Sequence, residues 1–155
     1  MFRRNSKLLA SVLVITLLLS VWSPNIIAQE QKYENPPLEV IAQKIERIAR
    51  EKGIPSVILK AVAFKESSWR QFDKNGNVLI GKSESNPSIG IMQITTYDAS
   101  NEELVEKLKY DIDFNIAYGA DLLNEKWNMV PKIGDGDRNK LENWYFALWA
   151  YNSWS

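Results

Sequence analysis

A 155-residue chain with no cysteine and no histidine has to hold its fold together by burial alone. No disulfide can tie its loops, and no His- or Cys-ligated zinc or iron–sulfur cluster can nucleate a core. Stability therefore falls to apolar packing, for which six Trp, six Tyr and five Phe are available beside the aliphatic residues. The same absence restricts chemistry. Ser-His-Asp and Cys-His nucleophilic catalysis are excluded, so acid–base work must come from carboxylates, Lys or Tyr. Neither a Walker-type nor a dinucleotide Gly-rich pattern occurs. Carboxylate-driven glycoside cleavage is prominent among the enzyme classes that remain.

Residues 1–28 have the pattern of a secretory signal peptide. Arg3, Arg4 and Lys7 form a basic start, and Leu8 to Val21 an apolar run of 14 residues, short of the about 20 that a membrane span needs. Cleavage is expected after Ala28, although Ile26 is bulky for its place; the alternative is an uncleaved anchor. Loss of the three basic residues from a balance of 19 basic against 19 acidic leaves a net charge of about −3. A mildly acidic chain without a basic cluster is a poor ligand for nucleic acid or anionic lipid. The remainder suits one compact domain.

Residues 29–35 are polar and read as a flexible lead, with the domain proper over 36–155. Pro36-Pro37 opens a first helix with Leu38, Ile41, Ile45 and Ile48 at helical spacing and Gly53 as its stop. Pro55 opens a second, ending near Glu66. Asp73 to Asn77 is a turn, Val78-Leu79-Ile80 a short strand and Gly81 to Ser88 a polar loop. Ser100 with Glu103 predicts a capping box for a helix to Tyr110. Asp113 is expected to cap a longer helix carrying Ile116, Leu123 and Trp127. After a loop over 130–139, Asn139 with Glu142 begins a last helix with Trp144, Leu148 and Tyr151 on one face. The fold class is mainly α, with a small irregular or β insertion after the second helix.

Glu66 stands out within this frame. Leu59, Val62 and Ala63 precede it by seven, four and three residues, so the carboxyl is the last member of a core-facing stripe. Desolvation there favours the protonated form, which a general acid requires; the plainer alternative is a solvated Glu in a last turn. Gly90-Ile91-Met92-Gln93-Ile94 brings backbone close to a neighbour and then offers a thioether and an amide able to bond sugar hydroxyl and acetamide groups, or a buried segment satisfying itself. Ala150-Tyr151-Asn152 ends the last helix, where Tyr151 is either the end of the Trp144 and Leu148 core stripe or a site residue.

Together these segments resemble the lytic transglycosylase (SLT-type) family of the lysozyme superfamily, over roughly residues 54–152. Glu66-Ser67 is similar to the family's catalytic Glu-Ser pair, and Gly90 to Ile94 to its Gly-Leu-Met-Gln motif. Asn115-Ile116-Ala117-Tyr118-Gly119 resembles its Asn-Ile-x-x-Gly helix and Ala150-Tyr151-Asn152 its Ala-Tyr-Asn motif. Two departures stand against the match. Leu122 replaces a usual Tyr, and the sequence stops three residues after Asn152, where family domains continue. The domain is therefore expected to be a fragment or to lack one wall of its groove.

The resemblance implies an α+β lysozyme-like fold and cleavage of the β-1,4 bond between N-acetylmuramic acid and N-acetylglucosamine in peptidoglycan. Glu66 is then the general acid and later the base, and a 1,6-anhydro ring forms instead of a hydrolysis product. Ser67, Met92, Gln93, Tyr151 and Asn152 are the implied substrate-binding residues, with Ser67 orienting Glu66 or the acetamide. No cofactor and no metal is implied. The partner is the glycan strand, not nucleic acid or, after signal cleavage, membrane; the setting is extracytoplasmic, in the cell wall or periplasm, and the protein a monomer. Asp73 and Glu84 are the acids that could turn the reaction into a water-using muramidase. A non-catalytic peptidoglycan-binding protein is the other alternative. Asp135, Asp137 and Asn139 alternate as calcium ligands can, but Lys140 and Phe146 occupy the positions of the required Gly and Glu. Trp127 is expected in the core, Trp69 is the likeliest sugar-stacking ring, and Trp149 and Trp154 are open between the two roles.

Overall fold

The structure, a computed structural model, describes residues 33–82 and 86–153. The expected signal peptide and its cleavage point lie outside the described residues, as do Glu84 and Trp154. Among the described residues there are five α-helices: α1 (Leu38–Glu51), α2 (Ser56–Ser67), α3 (Glu102–Tyr110), α4 (Ile112–Met129) and α5 (Tyr145–Ser153), the last entered through a 3-10 turn at Leu141–Trp144. The protein is mainly helical, as expected.

The prolines before α1 and α2 sit just outside each helix with extended backbone, and their carbonyls accept the first intrahelical bonds. α1 buries Ile41, Ile45, Ile48 and Ala49 at helical spacing. Leu38, expected in that stripe, faces solvent instead, because it lies in the first turn before the helix meets its neighbours. α1 stops in a Schellman motif: Gly53, at φ 64°, donates to the Arg50 carbonyl and Ile54 to that of Ala49.

Two caps differ from the sequence reading. Asn101, not Ser100, caps α3 by accepting from the Leu104 N–H at 3.0 Å, while Ser100 bonds Asp98 and Glu103 pairs with Lys107. Asp111, not Asp113, caps α4 by accepting from the Phe114 N–H. Asp113, one residue inside α4, reaches across to Lys44 and Arg47 of α1. Asn139 caps nothing either. The 3-10 turn starts after Lys140 without a side-chain cap, and the preceding loop is held by Asn143, which donates to Asp135 Oδ1 and to the Asp137 carbonyl.

α4 is the element around which the others pack, touching α1, α3 and α5. Ile116, Ala120, Leu123 and Trp127 are its buried face. Trp127 lies in the core as expected, its ring 4.4 Å from that of the fully buried Trp144. The Arg138 guanidinium covers both rings at 5.0 and 4.7 Å and donates to the Gly53 carbonyl, tying the 130–140 loop to the end of α1.

Between α2 and α3 no strand forms among the described residues. Val78-Leu79-Ile80 supplies only isolated bridges, Phe72 to Val78 and Ile80 to Ile89, with a third from Ile89 to Ile94. The segment doubles back at the Asp73–Asn77 turn, whose Asp73 carboxylate accepts from the Asn75 and Asn77 N–H groups, and no partner runs alongside long enough for a ladder. Residues 33–35, expected in the flexible lead, are tied down. Asn35 accepts from the Gln71 and Phe72 N–H groups at 2.7 and 3.0 Å and donates to the Phe72 carbonyl, while the Tyr33 ring packs against Phe72 and Tyr110.

Candidate active site

The Gly90–Ile94 turn is positioned by two buried carboxamides. Gln71, fully buried, accepts from the Ile91 N–H at 2.8 Å and donates to the Leu108 and Lys109 carbonyls at the end of α3. Asn115, fully buried on α4, accepts from the Met92 N–H at 3.0 Å and donates to the Ile89 and Leu108 carbonyls. Gly90 has φ 74°, and a Cβ there would run into both amides, so glycine is required twice over. Gly119 on α4 lies directly against Met92, where an added Cβ would stand 2.7 Å from Met92 Cβ.

α2 reaches this turn at its C-terminal end. Ser67 is buried; its hydroxyl donates to the Ile91 carbonyl at 2.8 Å and accepts from the Arg70 N–H. The helix then breaks through Ser68 and Trp69, both left-handed at φ 54° and 60°, a conformation uncommon without glycine. Trp69 is turned away from the cleft. Its indole N–H donates to the Lys60 carbonyl and its ring meets Phe64 edge-on. α5 reaches the turn from the other side, its Tyr151 hydroxyl donating to the Met92 carbonyl at 3.1 Å.

These elements enclose a cleft of about 210 Å3. Glu66 enters from α2, Leu122 and Lys126 from α4, and Tyr151 and Asn152 from α5. The floor is Ser88 with residues 93–96. Glu66 is half-buried, and burial holds its carboxyl above the ordinary value of 4.5, opposed only by the charge of Lys65. Burial and the facing Glu66 push the Tyr151 phenol up as well. Glu66 and Tyr151 therefore share one partly desolvated space, in which the Glu66 charge favours the neutral phenol.

Of the six expected site residues, Glu66, Gln93, Tyr151 and Asn152 come together here. Ser67 and Met92 lie behind the wall: Ser67 ties α2 to the turn, and Met92 is fully buried against Gly119. Gln93, at φ 46°, is already engaged: its Oε1 accepts from Ser88 Oγ at 2.6 Å and its Nε2 donates to the Gly90 carbonyl at 2.8 Å. It shapes the floor and keeps one acceptor lone pair for a ligand. Asp73 stays in its own turn, outside the cleft lining. Asp135, held down to about 2 by Lys140 and Asn143, serves the loop before α5.

Ser88, Thr95, Thr96 and Lys126 line the cleft without having been singled out from the sequence. Lys126 had a signal: it stands four residues beyond Leu122, one helical turn along the same face. Ser88 and the two threonines had none, because irregular backbone carries no periodicity.

A half-buried carboxyl whose protonated form burial favours, facing a polar cleft, can deliver a proton to a bound oxygen and take one back. No helix among the described residues is long and apolar enough to cross a membrane. Comparison with curated proteins and with solved structures gives no match for this chain. The family model for the transglycosylase SLT domain matches residues 43–153, which include Glu66, the Gly90–Ile94 turn, Asn115 to Gly119 and Tyr151. By that match, and with the mainly helical lysozyme-like architecture around it, the chain belongs to the transglycosylase SLT domain family, whose activity is of the lytic transglycosylase type on peptidoglycan.

Proposed function

We propose that this protein is an exported lytic transglycosylase that cleaves the N-acetylmuramic acid–β-1,4–N-acetylglucosamine bond with Glu66 as its catalytic acid and base. One observation carries the reading. Glu66 is the carboxyl of the cleft, burial shifts it toward its protonated form, and the described lining residues include no second acid. The two-carboxylate schemes of ordinary glycoside hydrolysis need an acid and a separate base or nucleophile. A single carboxyl suits a reaction in which the substrate supplies the missing groups.

Protonated Glu66 donates its proton to the glycosidic oxygen as the bond to the anomeric carbon breaks. The acetamide carbonyl of the same muramyl ring stabilises that carbon from the opposite face. Glu66, now ionised in a space that disfavours its charge, accepts the proton of the C6 hydroxyl while that oxygen closes onto the anomeric carbon. The carboxyl ends as it began, and no water is consumed. The Tyr151 phenol, anchored on the Met92 carbonyl, offers its ring to the reacting sugar, and Asn152 and the open acceptor of Gln93 offer hydrogen bonds. Export rests on the residue 1–28 pattern, and an extracytoplasmic setting agrees with a cell-wall substrate.

The deciding experiment is digestion of purified peptidoglycan followed by product mass. Anhydromuramyl ends, lighter than hydrolytic ends by one water, are expected from the wild type. Glu66→Gln should release none while melting cooperatively. Products carrying the added water would make the protein a muramidase, and undiminished release by Glu66→Gln would remove Glu66 from the mechanism.

A further inference from the structure

The cleft does not end at its lining residues. Leu122 on α4 is one of them, and Tyr118 and Phe114 precede it at four-residue intervals. That spacing sets the three side chains in one row, with Tyr118 about 6 Å and Phe114 about 12 Å back from Leu122 along the helix axis. The row runs beside the face of α4 that buries Ile116, Ala120 and Leu123, so both rings are packed against the core yet partly exposed. It is also joined to the cleft. Thr96 belongs to the cleft floor, and its carbonyl accepts a hydrogen bond from the Tyr118 hydroxyl at 3.1 Å. That bond commits the hydroxyl and fixes the ring, which lies 6.0 Å from the Phe114 ring at an inclination of 42°. Lys107 of α3, paired with Glu103, stands over Phe114 at 5.9 Å. With the hydroxyl and the nearby ammonium already engaged, what this shelf offers a ligand is ring surface.

A β-linked sugar with equatorial substituents has apolar faces made of its axial C–H groups. Such a face loses water against an aromatic ring and needs no hydrogen-bond donor there. Successive sugars of an extended β-1,4 strand advance by about the pitch of an α-helix, which is close to the interval from Leu122 to Tyr118 and from Tyr118 to Phe114. One partly exposed ring at the margin of a core is ordinary. Two in line with a cleft residue, one of them bonded to the cleft floor, make a continuation of the cleft. We infer that Tyr118 and Phe114 form a further saccharide-binding shelf, on which the glycan sugars beyond those in the cleft stack, so that the enzyme prefers extended strands to short ones. This inference rests on the proposed function and adds a substrate class to it. The stacked sugars lie away from the bond being broken and are held equally before and during its cleavage. The shelf therefore lowers KM for long strands and leaves kcat alone.

The test uses the purified chain on amidase-treated glycan strands sorted by length. Wild type should show KM falling roughly tenfold from the shortest strand it cleaves to the longest, the contribution of stacked rings, with kcat constant. Tyr118→Leu and Phe114→Leu keep an apolar side chain in place without the flat ring. Each should reduce that fall and the double variant should abolish it, while KM for the shortest strand stays at the wild-type value. Tyr118→Phe gives up the Thr96 bond but keeps the ring, and should retain the fall. Thermal melting of each variant reports that it is folded. A fall unchanged in the double variant overturns the inference, as does a wild type indifferent to strand length; both leave the Glu66 mechanism standing. A KM raised equally at every length, or a loss in Tyr118→Phe as large as in Tyr118→Leu, also overturns it and makes Tyr118 a support for Thr96. If wild type releases nothing from any strand, or Glu66→Gln matches it, the proposed function itself has failed and the inference falls with it.

Discussion

Asn115 is the residue whose replacement probes most directly what holds the cleft in shape. Its side chain joins α4 to the Gly90–Ile94 turn through the Met92 N–H and the Ile89 carbonyl, and to the end of α3 through the Leu108 carbonyl. The carbonyls have second donors, the Ile94 N–H and the Gln71 amide. Among the described residues the Met92 N–H has Asn115 alone. Asn115→Ala therefore strands one buried donor, at about 1–3 kcal/mol, and removes two further bonds at about 0.5–1.5 kcal/mol each. The total of roughly 2–6 kcal/mol is a large share of the about 5–15 kcal/mol that such a domain possesses. Asn115→Asp separates the contributions. It keeps the acceptor for Met92 but turns a second oxygen toward two carbonyls, so burial and those carbonyls raise its folded-state pKa. The sign follows: the aspartate variant is least penalised below the unfolded value of about 3.9 and loses stability as pH rises through the raised folded value. Denaturant unfolding of both variants, each compared with wild type at the same pH, is the assay. The alanine loss should change little with pH, and the aspartate loss should shrink on acidification. An alanine cost below about 1 kcal/mol, with aspartate indistinguishable from wild type at neutral pH, would refute the idea that this amide organises the turn.

Two further outcomes are expected. Because burial raises the Glu66 pKa, folded wild type loses stability as pH climbs from the ordinary carboxyl value through the raised one. Glu66→Gln should unfold at higher denaturant than wild type near neutral pH, and the gap should close in acid; a gap independent of pH would mean Glu66 is not desolvated. Gly119→Ala places a methyl group 2.7–2.9 Å from Met92 side-chain atoms, and the Met92 backbone cannot retreat because Asn115 and Tyr151 hold both its polar groups. Overpacking of about 1–3 kcal/mol should outweigh the ~1 kcal/mol of helix propensity gained. A lowered melting temperature and slower glycan turnover are the readouts, and a raised melting temperature would show that α4 does not press on the turn.

The helices were legible because burial writes its period into them. Ile41, Ile45 and Ile48 in α1, and Ile116, Leu123 and Trp127 in α4, repeat at spacings that only a helix puts on one side. Caps were harder: Ser100 and Asn101 are both good capping residues, as are Asp111 and Asp113, and tertiary contacts chose between them. Asp113 was drawn off by Lys44 and Arg47. The strand at 78–80 failed for a related reason, since β pairing depends on a partner that a local pattern does not reveal. Within the cleft, Glu66 is legible from its place at the end of the α2 stripe, whereas helical position puts Tyr151 on a core face, and only the family resemblance points Tyr151 and Asn152 to the site. Ser67 and Met92 sit beside cleft residues in sequence but behind them in space: Ser67 follows Ala63 by one helical turn onto the buried face of α2, and Met92 lies in an irregular turn that carries no periodicity. Gln71 was invisible altogether, as its value lies in three backbone groups more than 19 residues away.

The clamp at Asn35 has a practical bearing on how this protein can be trimmed. A version begun at Pro36 would keep every helix among the described residues yet forfeit the amide that receives Gln71 and Phe72. Gln71 in turn grips the Ile91 N–H. An N-terminal cut that spares all five described helices would thus loosen the floor of the cleft by two short relays, and activity would fade before their helical signal did.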